Sequence, residues 1–348
     1  MITENSLTTE WYDNLNTQYK SLDFNLLDKV NHAFFLLEKL SHTRLNFIFK
    51  GGTCLLLLLK EMKRFSIDID IVITDSISEE ELTTFLQEVC DQSIFTHFEE
   101  QIRYKTAIPK AHYKIYYSSP LDKTESYVLL DILFEKSPYT RLIKIPIESS
   151  FIDTKPPIKF VTVPDIENIL GDKLAAFAPN TTGIPYGQGK EMEIIKQLFD
   201  IESLFDQAVN LGEIKKTFIN CAEQELVYRQ LEGLNPVDVL DDILRTACII
   251  GGRRSIDKET FLQLEDGIRR IKSHIIDRNY IVEEAVVSAA KASYLVNLLK
   301  TDATEITRFD PSLPLKDMTG VPLFKKMAKM KKFSPEAYYY FVKAQEIN

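Results

Sequence analysis

The residues best equipped for chemistry are Asp68 and Asp70, in the run Arg64-Phe65-Ser66-Ile67-Asp68-Ile69-Asp70-Ile71. Side chains alternate along a strand, so the two carboxylates share one face while Ile67, Ile69 and Ile71 point into a core. Two like charges side by side gain nothing from folding. A divalent cation removes the conflict, and hard Mg²⁺ is typically held by one or two carboxylates together with substrate phosphates. Just upstream, the apolar residues Phe47, Ile48 and Phe49 run into Lys50-Gly51-Gly52-Thr53. Paired glycines let backbone N–H groups approach a phosphate where a helix begins. Thr53 is placed to meet β/γ-phosphates or to cap the helix. Arg64 can neutralise phosphate charge, and Ser66 can bond a phosphate oxygen or cap the turn.

Chemistry at a bound phosphate can use two metal ions, which hold the attacking and leaving oxygens. Two acids seldom suffice for both ions. Asp131 is the expected third, as the one charge in the apolar run Val128 to Phe134. A carboxylate there is costly unless it is metal-bound or paired. Its other reading is a strand-end cap or a partner for a lysine.

The order of strand, Gly-Gly-Thr, apolar helix, Arg-x-Ser and Asp-x-Asp resembles the signature of the nucleotidyltransferase superfamily with the DNA polymerase β-like fold. In detail it is similar to the AbiEii/AbiGii toxin family. The resemblance assigns Gly51, Gly52 and Thr53 to the nucleotide, and Asp68 and Asp70 to the metal. Asp131 matches the third acid by context, although Leu129 stands where the family often has a lysine. Glu167-Asn168-Ile169-Leu170-Gly171-Asp172-Lys173-Leu174 resembles a family helix whose lysine faces the triphosphate; otherwise Lys173 is a surface lysine. Lys196-Gln197-Leu198-Phe199-Asp200 resembles a further nucleotide-site segment. There Lys196 and Asp200, at i and i+4, are expected to pair; Gln197 stands where the family often has Asp. The resemblance is specific over about residues 46–73 and fades beyond about 205.

The elements that must position these groups follow from periodicity. Helical spacing covers residues 7–42. A strand is expected at 45–50, a helix at 53–62 and a strand at 67–73. Ser78-Glu79-Glu80-Glu81 has a capping-box pattern that starts a helix. Strands follow within 102–118, where Pro109 separates two strands or marks an edge, then at 126–135 and 142–147. From Pro164 nearly everything reads as helix: 165–178, 191–209, 213–230, 236–250, 257–276, 281–300, 321–330 and 335–346. The loop 179–190, with three glycines and two prolines, reads as a mobile loop placed where a substrate lid or a recognition loop would be useful, and its Lys190 could touch phosphate. The expected class is α+β: a nucleotidyltransferase domain over 1–160 with a mixed sheet, then an α-helical domain over 161–348. The second is expected to complete the nucleotide site and contact the acceptor.

The chain has 348 residues, 45% hydrophobic and 27% charged, which fits a soluble globular protein. No apolar run approaches a membrane span, and the polar N-terminus lacks a secretory pattern; the expected compartment is the cytoplasm. Four dispersed cysteines read as buried free thiols. The five histidines show no ligand spacing. Net charge −9 means that any nucleic-acid contact is local. Candidates are Lys325, Lys326, Lys329, Lys331 and Lys332, a phosphate contact or a solvated helix face, and Arg253 and Arg254 after Gly251-Gly252.

The leading expectation is a metal-dependent enzyme using Mg²⁺ or Mn²⁺ and an NTP. The resemblance implies the toxin of a toxin–antitoxin or phage-defence system, an RNA acceptor (foremost the tRNA 3′ end) and a cognate antitoxin. One alternative is a small-molecule nucleotidyltransferase acting on cationic antibiotics, which the acidic charge suits. Another is a non-catalytic nucleotide-binding module.

Overall fold

The computed structural model describes residues 1–19, 22–59, 61, 63–101, 108–317 and 329–347. The chain forms two compact units. The first takes Met1–Ser137, Arg141–Asp165 and His274–Arg278; the second takes Pro138–Thr140, Ile166–Ser273 and Asn279–Asn348. The architecture is α+β, with a mixed five-stranded sheet followed by a largely helical region.

In the first unit, a short 3₁₀ turn precedes α1 (Thr9–Tyr19) and α2 (Phe24–Leu40). The Asp23 carboxylate caps α2 by accepting from the Asn25 and Leu26 amides. Strand β1 (Ile48–Lys50) turns directly into α3 (Gly51–Leu58), and β2 (Ile69–Ile73) returns beside β1. The capping box of Ser78 and Glu81 starts α4 (Glu79–Asp91), as its sequence pattern implies. Strands β3 (His97–Glu100), β4 (Lys110–Ser118) and β5 (Glu125–Phe134) complete the sheet in the order β1-β2-β5-β4-β3. The β2–β5 pairing is parallel and the rest are antiparallel. Ile69, Ile71, Val128, Leu130 and Ile132 are buried with Phe34 and Leu37 of α2, which packs on β5.

Periodicity leaves two strands unannounced, β3 and β7 (Phe160–Pro164). The latter pairs with β6 (Leu142–Pro146) in a separate two-stranded sheet. Both are four or five residues long, and β3 alternates poorly because its side chains are mostly exposed. Residues 102–107, part of an expected strand, lie outside the described residues.

The second unit is built from α5 (Ile166–Ala176), α6 (Glu191–Phe205), α7 (Leu211–Tyr228), α8 (Pro236–Gly252), α9 (Lys258–Ile271) and α10 (Val282–Leu299). It closes with α11 (Met330–Phe333) and α12 (Pro335–Ile347). Helix α10 is buried along most of its length, and its alanines let α8 and α12 pack closely against it. Its one buried cation, Lys291, faces Glu202, Asp206 and Glu336. Burial works against that charge, but the three carboxylates outweigh it and raise the lysine pKa.

Two expectations about this region are corrected. The helix expected over 257–276 stops at Ile271. The chain then leaves the second unit, and His274 and Ile276 form backbone hydrogen bonds with Phe65 and Lys63. Those amides and carbonyls find partners in an extended pairing that a continued helix would deny them. The loop 179–190 is not free throughout. The Asp242 carboxylate accepts from the Asn180 amide at 2.7 Å and the Thr181 hydroxyl at 3.0 Å. Tyr186 and Thr246 share a hydrogen bond of 2.7 Å. The loop is therefore tied to α8 at Asn180, Thr181 and Tyr186.

All four cysteines are buried free thiols. Among the described residues no helix is long and apolar enough to cross a membrane. Lys325, Lys326 and most of the helix expected at 321–330 lie outside the described residues.

Candidate active site

The site grows from strand register. Lys50 of β1 pairs with Asp70 of β2, Asp70 with Asp131 of β5, and Asp131 with His112 of β4. Register partners on adjacent strands share a face. Four polar residues therefore cross the sheet in one row, with two acids at the centre flanked by Lys50 and His112. Neighbouring strands are about 4.8 Å apart, so the central carboxylates are held as adjacent like charges.

The glycine turn closes over one end of this row. Gly51 has φ +80°, the left-handed region that favours glycine. A Cβ built there would stand 2.0 Å from Asp70 Oδ2, so the backbone approaches the carboxylate as no other residue could. A Cβ at Gly52 would meet Ser66 Oγ at 2.6 Å and Arg64 Nη2 at 2.7 Å. A hydroxyl, a guanidinium and a helix N-terminus thus converge beside Gly52, donors of the kind that bind phosphate. Arg64 is itself buried, and its Nη1 donates to the Phe65 carbonyl at 2.9 Å.

Thr53 does not cap its helix. Helix α3 begins two residues earlier than the sequence pattern implies, with Lys50 at the cap position. The Thr53 hydroxyl donates to the Asp68 backbone carbonyl at 2.6 Å. It thereby ties the extended segment leading into β2 to the glycine helix. Asp68 lies in that segment, two residues before Asp70.

Asp131 pairs with a histidine rather than a lysine. His112 Nδ1 lies 2.6 Å from Asp131 Oδ1. His112 is buried, whereas a third of the Asp131 side chain remains exposed. Sequence reasoning missed both His112 and the place of Lys50 in the row. The alternation of residues 110–118 puts His112 on one face of a strand, but only register sets it opposite Asp131.

The helical candidates belong to the second unit. Lys173 Nζ lies 2.9 Å from Asp200 Oδ2 and donates to Gln197 Oε1 at 3.1 Å. Lys173 and Asp200 are both buried. The expected pairing of Lys196 with Asp200 is corrected: Lys196 bonds Glu193 at 3.0 Å, one turn back, and Lys173 takes Asp200. An inward carboxylate on α6 is reached more directly from facing α5 than along its own helix. Gln197 thereby gains a role as acceptor for Lys173.

Among the described residues, no three His, Cys, Asp or Glu side chains form a ready-made cation cage. The in-register pair Asp70 and Asp131 nonetheless fits a hard cation. Mg²⁺ takes one or two carboxylates and completes its octahedron with water and phosphate oxygens.

A glycine-to-helix turn lies beside in-register acids on a mixed sheet, and the chain is a nucleotidyltransferase. The profile of the family described as "Nucleotidyl transferase AbiEii toxin, Type IV TA system" matches residues 35–287, and the chain belongs to that family. No curated protein matches it. Among solved structures it is similar to JHP933 from Helicobacter pylori, with TM-score 0.46 and 15% identity over 80% of this chain and 95% of that one. It is also similar to a nucleotidyltransferase from H. pylori described as putative, with TM-score 0.43 and 16% identity over 79% and 95%. An antigenic nucleotidyltransferase-like protein from Paracoccidioides brasiliensis gives TM-score 0.38 and 15% identity over 61% and 93%. The protein is the nucleotidyltransferase toxin of a type IV toxin–antitoxin system, which implies an NTP substrate and an antitoxin partner.

Proposed function

We propose that this toxin transfers a nucleoside monophosphate from an NTP to RNA, with a divalent cation held by the adjacent Asp70 and Asp131 and with Asp68, in the segment leading into the strand, as the expected third acid. The register of Asp70 against Asp131 carries the reading. It sets two carboxylates side by side at a cost in repulsion that binding a cation offsets. Bound Mg²⁺ or Mn²⁺ would supply charge neutralisation for the triphosphate and the attacking oxygen. The chain's own residues do the rest. The Gly51-Gly52 turn presents backbone N–H groups, and Arg64 and Ser66 converge beside Gly52 as donors for phosphate oxygens. Thr53 keeps the acid-bearing strand against the glycine helix. Lys173 is the expected fixed cation for the triphosphate, and Lys196 and Asp200 are expected at the nucleotide site. RNA, foremost the tRNA 3′ end, is the acceptor that the family resemblance implies.

Incubation with each α-³²P-labelled NTP, Mg²⁺ and total RNA tests the reading. Label should enter RNA with the wild-type chain and not with Asp68→Ala or Asp70→Asn. Label on a small cationic acceptor alone would replace RNA with the small-molecule alternative. Absence of transfer to either would overturn the catalytic reading.

A further inference from the structure

We propose that His112 is a positioning residue that sets the orientation of the Asp131 carboxylate for the cation. The inference rests on the proposed metal role of Asp131. Three observations carry it. His112 and Asp131 are register partners on antiparallel strands, and Nδ1 lies 2.6 Å from Oδ1. Among the described residues, this is the one hydrogen bond of the Asp131 side chain, so Oδ2 stays available on a side chain that is one-third exposed. Finally, His112 Nε2 is buried with no hydrogen-bond partner among the described residues.

An ionised carboxylate only accepts, so Nδ1 carries the proton of this bond. The bond fixes one oxygen and with it the plane of the group, leaving the other oxygen without a hydrogen bond among the described residues. Carboxylates that ligate metals are commonly held by such outer hydrogen bonds. The unpartnered Nε2 is a penalty that a phenylalanine or leucine would avoid. A histidine is worth that penalty if its other nitrogen has work to do, and the atom it touches is Asp131 Oδ1. Lys50, at the far end of the row, lies opposite Asp70 and cannot serve Asp131 in this way.

The test is Mn²⁺ binding to the full-length protein without nucleotide, read from the free-ion signal by electron paramagnetic resonance. The variants are His112→Asn, His112→Gln, His112→Phe and Asp131→Asn. An asparagine amide nitrogen can occupy the place of Nδ1, whereas the glutamine amide falls nearer Nε2. The expected result is a loss of affinity of about 10–100-fold in His112→Phe and His112→Gln, with His112→Asn recovering most of it. A merely structural histidine would not separate Asn from Gln in this order, so the comparison holds even where His112→Phe fails to fold. Wild-type affinity in His112→Gln, together with weakened binding in Asp131→Asn, would overturn the positioning role and leave the metal site standing. Unchanged binding in Asp131→Asn, or no binding by the wild type, would remove Asp131 as a ligand and this inference with it.

Discussion

Gly51 lies so close to Asp70 that a Cβ on the glycine would stand 2.0 Å from Oδ2. The turn and the acid strand are therefore one device, in which the backbone of the first limits where the carboxylate of the second can go. Gly51→Ala should damage it twice. The left-handed backbone costs an L-residue roughly 1–2 kcal/mol, and the new methyl must push the carboxylate out of the row. Nucleotidyl transfer should fall at least tenfold with a lower melting temperature, measured by α-³²P transfer and by thermal unfolding.

Asp70→Asn and Asp131→Asn should separate stability from activity. Each removes one of two adjacent like charges, and such pairs destabilise by about 0.2–1 kcal/mol. Each variant also weakens a favourable neighbour, Lys50 opposite Asp70 or His112 beside Asp131, so melting temperatures without cation should change little. Transfer should fall on the order of 10²–10⁴-fold, because a metal contributes several kcal/mol at the reacting centre. Mg²⁺ should raise the melting temperature of the wild type by linkage, and of these variants much less.

The Lys173–Asp200 pair is buried on both sides. Lys173→Met takes the buried cation away from Asp200, and breaking a buried pair this way costs about 3–5 kcal/mol. Lys173→Met with Asp200→Leu should recover most of that loss in urea unfolding. On the proposed role of Lys173 as a cation for the triphosphate, transfer should stay impaired in both. Recovery of activity in the double variant would reduce Lys173 to a structural partner.

Acid should act on the first unit through Asp28. Its carboxylate accepts from Tyr12 at 2.8 Å and from Tyr117 and Ser119 at 3.0 Å each, with His32 Nδ1 at 3.1 Å. Burial pushes its pKa up, but the His32 hydrogen bond and charge and the hydroxyl donors outweigh this, and the net shift is down. A depressed carboxylate pKa contributes stability that is present above the unfolded value, near 4, and lost as pH falls through the folded value. The wild-type melting temperature should drop across that acid range. Asp28→Asn should melt lower at neutral pH and show a shallower acid dependence.

Much of the fold could be read directly from residues. Alternation around Ile67–Ile73 and Val128–Phe134, the capping box at Ser78 and Glu81, and the helical spacing after Pro164 are local signals. So is the Gly-Gly turn, because a left-handed backbone leaves few choices of residue. These set the α+β class and the identity of the acids.

The tertiary structure decided what depends on register and on distant segments. Register is collective: one residue of slip would turn Asp131 away from Asp70 and His112, and no short stretch of sequence fixes that choice. Lys173 met Asp200 because two helices face each other, which the i,i+4 pattern at Lys196 could not reveal. The pairing of residues 63–65 with 274–276 joins segments some two hundred positions apart, satisfying backbone groups that local propensity would have kept in a helix. The sequence by itself named the chemical groups, since those depend on residue type and near neighbours. Their partners were settled by packing, which is a property of the whole chain.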